Sequence, residues 1–154
     1  MKKFLKKVLS ISLTAVLLVS CFAIPASAVT KRTNTYYVYQ EESYGELSLT
    51  SNTLTTLTYC ELASAGKIAK STYYYSYGNI IYSDYVQGGG NYDSTTFYDT
   101  SSSNYAEAHA AAVNGYAFIS AKSYHKVRVT SYVTWDSAQC DGDTNGYDIP
   151  YIVL

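Results

Sequence analysis

Apolar and polar positions alternate with period two along most of this chain. Val38 stands between Tyr37 and Tyr39, and Ser48 separates Leu47 from Leu49. Tyr73, Tyr75 and Tyr77 share one face of a run whose other face carries Thr72, Tyr74 and Ser76, and Val127, Val129, Tyr132 and Thr134 continue the habit. Alternating β-branched and aromatic residues predict strands. Two stretches are ambiguous. Thr53 to Ala65 sets Leu54, Leu57, Glu61 and Leu62 at helical spacing with Gly66 as a C-cap, but its many threonines favour a strand. Tyr105 to Val113 is rich enough in alanine for a short helix, and the Asn-Gly that follows it tips the reading to strand.

Turn residues divide the strands. Gly78-Asn79 falls between STYYYS and IIYSDY, and Asn114-Gly115 between YAEAHAAAV and YAFISAKSYH. Such pairs between alternating runs predict tight hairpins, because both residues accept positive φ. Ala65-Gly66-Lys67 reads as another turn, and the segments 88–91 and 100–104 as loops. Eight or nine short strands with no internal repeat predict a single all-β domain, an antiparallel β-sandwich, with a small barrel as the alternative.

The N-terminus has a different pattern. MKKFLKK is a basic head, Val8 to Val19 an apolar stretch, and Ala26-Ser27-Ala28 a small-residue cleavage site, which together read as a secretory signal peptide over 1–28 cut between Ala28 and Val29. Two alternatives remain. Leu18-Val19-Ser20-Cys21 resembles a lipobox that would anchor the chain through Cys21, and an uncleaved anchor would need a longer apolar run.

Of 154 residues, 126 follow Ala28, one domain's worth. They keep seven basic and twelve acidic residues, a net charge of −5. An acidic chain with scattered cations argues against nucleic acid as a partner, since phosphate binding needs clustered Lys and Arg. Export also changes the reading of Cys60 and Cys140, the cysteines of the mature chain, which are expected to pair. In the chain-entropy picture such a cross-link contributes roughly 4.5 kcal/mol.

Candidate chemistry is sparse. Asp141, Asp143 and Asn145, followed by Gly146, match the opening of a calcium loop; the Tyr147 carbonyl and Asp148 complete the candidate set, the expected cofactor being at most a structural calcium. Ile152 stands where a bidentate carboxylate belongs, so a plain acidic turn is the competing reading. Glu107 and His109 lie on one strand face, an arrangement open to acid–base work. His125 follows Ser123 and Tyr124 without the nucleophile elbow of a hydrolase, and reads as a half-buried strand residue. Glu41, Glu46, Glu61, Asp84, Asp93 and Asp99 offer carboxylates, but their spacing selects no pair.

Nineteen tyrosines are the remaining resource. A tyrosine joins a flat apolar face to a polar tip, which suits stacking on sugar rings. Tyr73, Tyr75 and Tyr77, extended by Tyr82 or Tyr85, form the candidate ligand strip; most of the other tyrosines, and Trp135, are expected in the core.

The order LTTLTY, STYYYSYGNIIYS, a Gly/Ser loop, NYAEAHAAAVNGYAFISAKSYHKVRV and Trp135 resembles small exported β-rich, Tyr/Ser/Thr-rich proteins of Gram-positive bacteria, over roughly residues 47–135. The resemblance implies export and fold and no activity. The lactococcin-type bacteriocins are a weaker comparison. The reading that results is a secreted, non-enzymatic protein, a surface-acting module for glycan or cell-wall polymer, with no transmembrane segment in the mature chain. The alternatives are a bacteriocin-like secreted effector and a surface or matrix structural protein.

Overall fold

The computed structural model describes residues 28–89, 103–129, 132–138 and 148–154. The candidate leader up to Ser27, most of the candidate calcium loop and Cys140 lie outside them. Ten strands run in order: β1 (Val29–Arg32), β2 (Tyr36–Val38), β3 (Glu41–Leu49), β4 (Thr53–Cys60), β5 (Gly66–Tyr77), β6 (Ile80–Gly89), β7 (Tyr105–Ala111), β8 (Tyr116–Val129), β9 (Tyr132–Asp136) and β10 (Tyr151–Val153). Among the described residues there is no helix, and none long and apolar enough to cross a membrane. Both ambiguous segments are strands, β4 and β7.

The strands form two antiparallel sheets that are not closed into a barrel, so the fold is a sandwich. The first sheet orders β1-β3-β4-β7, the second β10-β8-β5-β6. Each has one margin split between two short strands. β1 covers the C-terminal half of β3 and β2 its start; β10 covers the middle of β8 and β9 its end. The breaks are closed by local hydrogen bonds. Thr33 N–H donates to the Gly45 carbonyl (2.9 Å), and Gly45 N–H donates back to the Thr33 hydroxyl (3.0 Å). In the other sheet, Ser137 N–H donates to the His125 carbonyl, and His125 N–H donates to the Ser137 hydroxyl.

Turn chemistry accounts for some connections and misleads at others. Gly78, at φ +57°, starts the β5–β6 hairpin as expected. The β2–β3 turn is made by Tyr39 and Gln40, both at positive φ, with no glycine to advertise it. Asn114-Gly115 is a turn but joins no hairpin: β7 pairs with β4 and β8 with β5, so the chain crosses from one sheet to the other. Ala112 N–H donates to Asn52 O and Phe118 N–H to Ser51 O, fastening this arch to the β3–β4 turn. The turn expected at Ala65-Gly66-Lys67 lies just upstream, where Ala65 N–H donates to Leu62 O; Gly66 and Lys67 already belong to β5.

Two apolar clusters fill the space between the sheets. Leu47, Leu49, Leu54, Phe118, Ala121 and Ile152 form one; Val38, Cys60, Ala65, Val127 and Trp135 form the other. Each fully buried Leu or Ile contributes roughly 1.5–3 kcal/mol relative to exposure. Polar side chains hold the layer between them. Thr56 bonds Ser71 across the sandwich, and Thr58 donates to the Ile68 carbonyl at 2.6 Å. The phase of β4 therefore puts Thr56 and Thr58 inward with Leu54, and Thr55 and Leu57 on the outer side.

Candidate functional site

β5 and β8 run side by side from a closed end of the sandwich to an open one. At the closed end sits His125, fully buried. Its Nδ1 lies 2.9 Å from the Thr58 hydroxyl and its Nε2 2.7 Å from the Ser123 hydroxyl. Because Thr58 gives its own hydrogen to Ile68 O, it accepts from His125, so the proton rests on Nδ1 and Ser123 donates to Nε2. The ring lies parallel to that of Trp135 and fills the space that a side chain on Gly45 would need: a Cβ there would stand 2.1 Å from the imidazole. Burial holds the His125 pKa down at about 3, leaving the imidazole neutral. Thus the expectation of a half-buried strand histidine is corrected to a fully enclosed one. The cause is the glycine on the facing strand, which makes room for the whole ring.

His109 has opposite surroundings. It lies on the outer face of β7, with Nε2 3.1 Å from the Glu107 carboxylate and Nδ1 3.2 Å from the Thr55 hydroxyl. The pair foreseen in the sequence is thus assembled, on an exposed surface.

At the open end the inner faces of β5, β6 and β8 extend beyond the first sheet. Tyr73 pairs with Asp84, Tyr75 with Tyr82 and Tyr77 with Ile80 across β5–β6, while Tyr75 meets Phe118 and Tyr77 meets Tyr116 across β5–β8. Inward alternation therefore brings the sequence-predicted Tyr73, Tyr75, Tyr77 and Tyr82 together. Tyr75 stacks on Tyr82 at 5.3 Å, Tyr77 lies 4.9 Å from Tyr116, and Tyr73 meets Phe118 edge-on at 5.2 Å. Tyr73 and Tyr75 are half-buried against the apolar cluster, whereas Tyr82 is 38% and Tyr77 52% exposed. The strip is a graded wall, core at its base and open at its tip.

This wall borders a cleft of about 290 Å³, with Tyr73, Tyr75, Tyr116 and Phe118 on one side, the Ala111–Val113 arch on the other and Asp84 at its margin. That volume is at the small end of ligand pockets. Burial first, and then the charge of the neighbouring Asp84, raise the Tyr73 pKa. The cleft thus combines apolar ring faces with a carboxylate acceptor.

Sequence reasoning missed Tyr116 and Phe118 because β8 changes phase. Ala121, Ser123, His125 and Val127 face inward; an irregularity opposite Tyr74 and Tyr75 then leaves Ile119 unpaired and brings the even positions Phe118 and Tyr116 inward. The Asn-Gly arch ahead of Tyr116 was the signal available.

The expectation that most of the other tyrosines are core is corrected: among the described residues none is fully buried, and Tyr37, Tyr39, Tyr105 and Tyr151 are exposed, whereas Trp135 is core as expected. On the outer face of the first sheet the Arg32 guanidinium lies 3.2 Å from the centre of the Tyr44 ring, and Tyr44 stacks on Tyr59 at 4.8 Å, so their faces meet one another. Tyr105 follows Tyr59 in register at 50% exposure.

Of the candidate calcium ligands, Asp141, Asp143, Asn145 and Tyr147 lie outside the described residues. The Asp148 carboxylate accepts the Asn34 N–H at 2.7 Å, tying this segment to the β1–β2 break. Among the described residues no cluster of His, Cys, Asp or Glu has metal-holding geometry. Cys60 is a buried free thiol, and no disulfide forms among the described residues; its expected partner, Cys140, is not one of them. The chain matches no protein-family model, no curated protein and no solved structure.

Proposed function

We propose that this is an exported, non-enzymatic binding module that holds a glycan or cell-wall polymer at the aromatic cleft between the β5–β6 hairpin and the Ala111–Val113 arch. The observation that carries the reading is the convergence of Tyr73, Tyr75, Tyr77, Tyr82 and Tyr116 at the open end of the sandwich. Tyr73, Tyr75 and Tyr116 line a cleft with Asp84 at its margin, and Tyr77 and Tyr82 pack on them from the exposed side. Aromatic faces supply apolar contact to a sugar ring, and a carboxylate and phenol hydroxyls meet its hydroxyls. The surroundings of His125 support a non-enzymatic reading, since both ring nitrogens are spent on buried hydroxyls.

The test is co-sedimentation of the purified protein with insoluble polysaccharides and Gram-positive cell walls, with and without a calcium chelator. Saturable retention on one polymer, lost in a Tyr77→Ala/Tyr82→Ala variant, is expected. Retention by none of them overturns the reading. Loss of retention on chelation would assign the 141–148 segment a metal.

A specific observation favours a second reading, self-assembly. Among the described residues β6 pairs only with β5, and its outer half presents Ile80, Ile81, Tyr82 and Tyr85 at an open edge. Concentration-dependent association in sedimentation velocity, abolished by Ile81→Lys, would favour a surface or matrix structural protein instead.

A further inference from the structure

The two outer faces of the sandwich differ in charge. That of the first sheet carries Glu42, Glu46 and Glu107 with one cation, Arg32, whereas that of the second gathers four of the seven cations that follow Ala28: Lys70, Lys122, Lys126 and Arg128. Their placement follows from register. Arg128 is level with Gly66, Lys126 with Ile68, Lys70 with Tyr124, and Lys122 with Thr72. Each step along this seam is two residues, about 7 Å, so the four cations span about 20 Å in a line. Asp136, 2.7 Å from Lys126, is the one carboxylate among the described residues of that face.

The lysines are held in place. The Lys70 ammonium lies 5.4 Å from the centre of the Tyr85 ring and that of Lys122 5.8 Å from Tyr124. The Tyr124 hydroxyl, hydrogen-bonded to Lys122, raises the lysine pKa further. Alongside runs a groove of about 460 Å³ lined by Lys70, Thr72, Gln87, Tyr124 and Lys126, with Asp136 beside Lys126 also in its wall.

We infer that the outer face of the second sheet binds a linear phosphate-bearing polymer, a polyol- or sugar-phosphate chain laid along the β5–β8 seam. A row of cations at regular spacing matches a chain of regularly spaced anions, and Gln87 and Thr72 offer partners for its hydroxyls. Nucleic acid would need open ring faces for its bases. Of the two rings that flank the row, Tyr124 is half-buried and Tyr85 has the Lys70 ammonium on one face, so the row carries no series of stacking platforms. This corrects the expectation of scattered cations: they are dispersed in sequence and aligned by strand pairing. The site lies on the opposite side of its sheet from the aromatic cleft and does not depend on it.

The experiment is a titration of the purified protein with fluorescently labelled poly(glycerol phosphate) at several salt concentrations. Wild type is compared with Lys70→Gln/Lys122→Gln and with the charge-matched control Lys31→Gln/Arg32→Gln. The inference expects saturable binding, weakened at least about tenfold in the first variant and unchanged in the control, with a salt slope shallower by roughly one to two. Three results would overturn it: no binding, equal loss in the control, or tighter binding of oligo-dT, which would assign the row to nucleic acid. The Tyr77→Ala/Tyr82→Ala variant should bind this polymer like wild type, which separates a failure here from a failure of the cleft.

Discussion

The two ends of β5 solve opposite problems with the same alternation. At one end Lys67 is buried, its ammonium donating to the carbonyls of Leu62, Ala63, Ala65 and Ser103, and its neighbours on β8 pack against Trp135. At the other end Tyr77 faces the same way and is half exposed, because no strand of the first sheet reaches over it. At the closed end Thr58, Ser123 and His125 form a satisfied chain, although the Ser43 hydroxyl and the Trp135 indole nitrogen beside it are buried without a hydrogen-bond partner among the described residues. The open end leaves ring faces and Asp84 accessible. Facing inward therefore means core where the opposite sheet covers a strand, and partly exposed surface where it does not.

The comparison is sharpest at Gly45. Its missing Cβ is the condition for the His125 ring, so Gly45→Ala should destabilise the fold by about 3 kcal/mol, measured by urea denaturation. A cost under about 1 kcal/mol would mean that the closed end is not tightly packed.

Next in size is the effect of pH. His125 has a folded pKa of about 3 against an ordinary value of 6.5, so between these values the unfolded chain binds a proton that the folded chain refuses. This contribution is intact above pH 6.5 and is lost as pH falls below it, by about 1.4 kcal/mol per unit and about 2 kcal/mol between pH 7 and pH 5. Denaturation midpoints at the two pH values check this, and the loss should vanish in a folded His125→Gln variant.

At the open end the order of effects reverses. Tyr82→Ala removes a ring stacked on Tyr75 and already partly in solvent; it should cost about 1 kcal/mol of stability or less while weakening polymer binding about tenfold. The smallest effect is expected at Asp148→Asn, which weakens one exposed hydrogen bond to Asn34 N–H and should change stability by about 1 kcal/mol or less.

Much of the fold was legible in the period-two pattern. Threonine content marked β4 and the Asn-Gly that follows marked β7 as strands against competing helical spacing. What the pattern could not carry was pairing. Asn114-Gly115 has the local chemistry of a hairpin turn, yet whether the next strand folds back or crosses over depends on partners distant in sequence. The Tyr39-Gln40 turn had no glycine to announce it, and the irregularity in β8 reversed the phase that would have placed Tyr116. The candidate tyrosines do come together on one face, since one strand face is a local property. Their division into buried base and exposed tip depends on where the opposite sheet ends. Cation alignment on the second sheet was hidden for the same reason, because Lys70 and Lys122 become neighbours only through the β5–β8 register.

The measurement that bears most directly on the contrast between the two ends is quantitative co-sedimentation with polysaccharides and cell walls for three proteins: wild type, Tyr77→Ala/Tyr82→Ala, and Tyr44→Ala on the outer face of the first sheet. Saturable retention of wild type and Tyr44→Ala, with loss only in the double variant and no change in its unfolding midpoint beyond about 1 kcal/mol, is the predicted result. Equal retention of all three, or retention of none, would contradict the assignment of the open aromatic end as the binding surface.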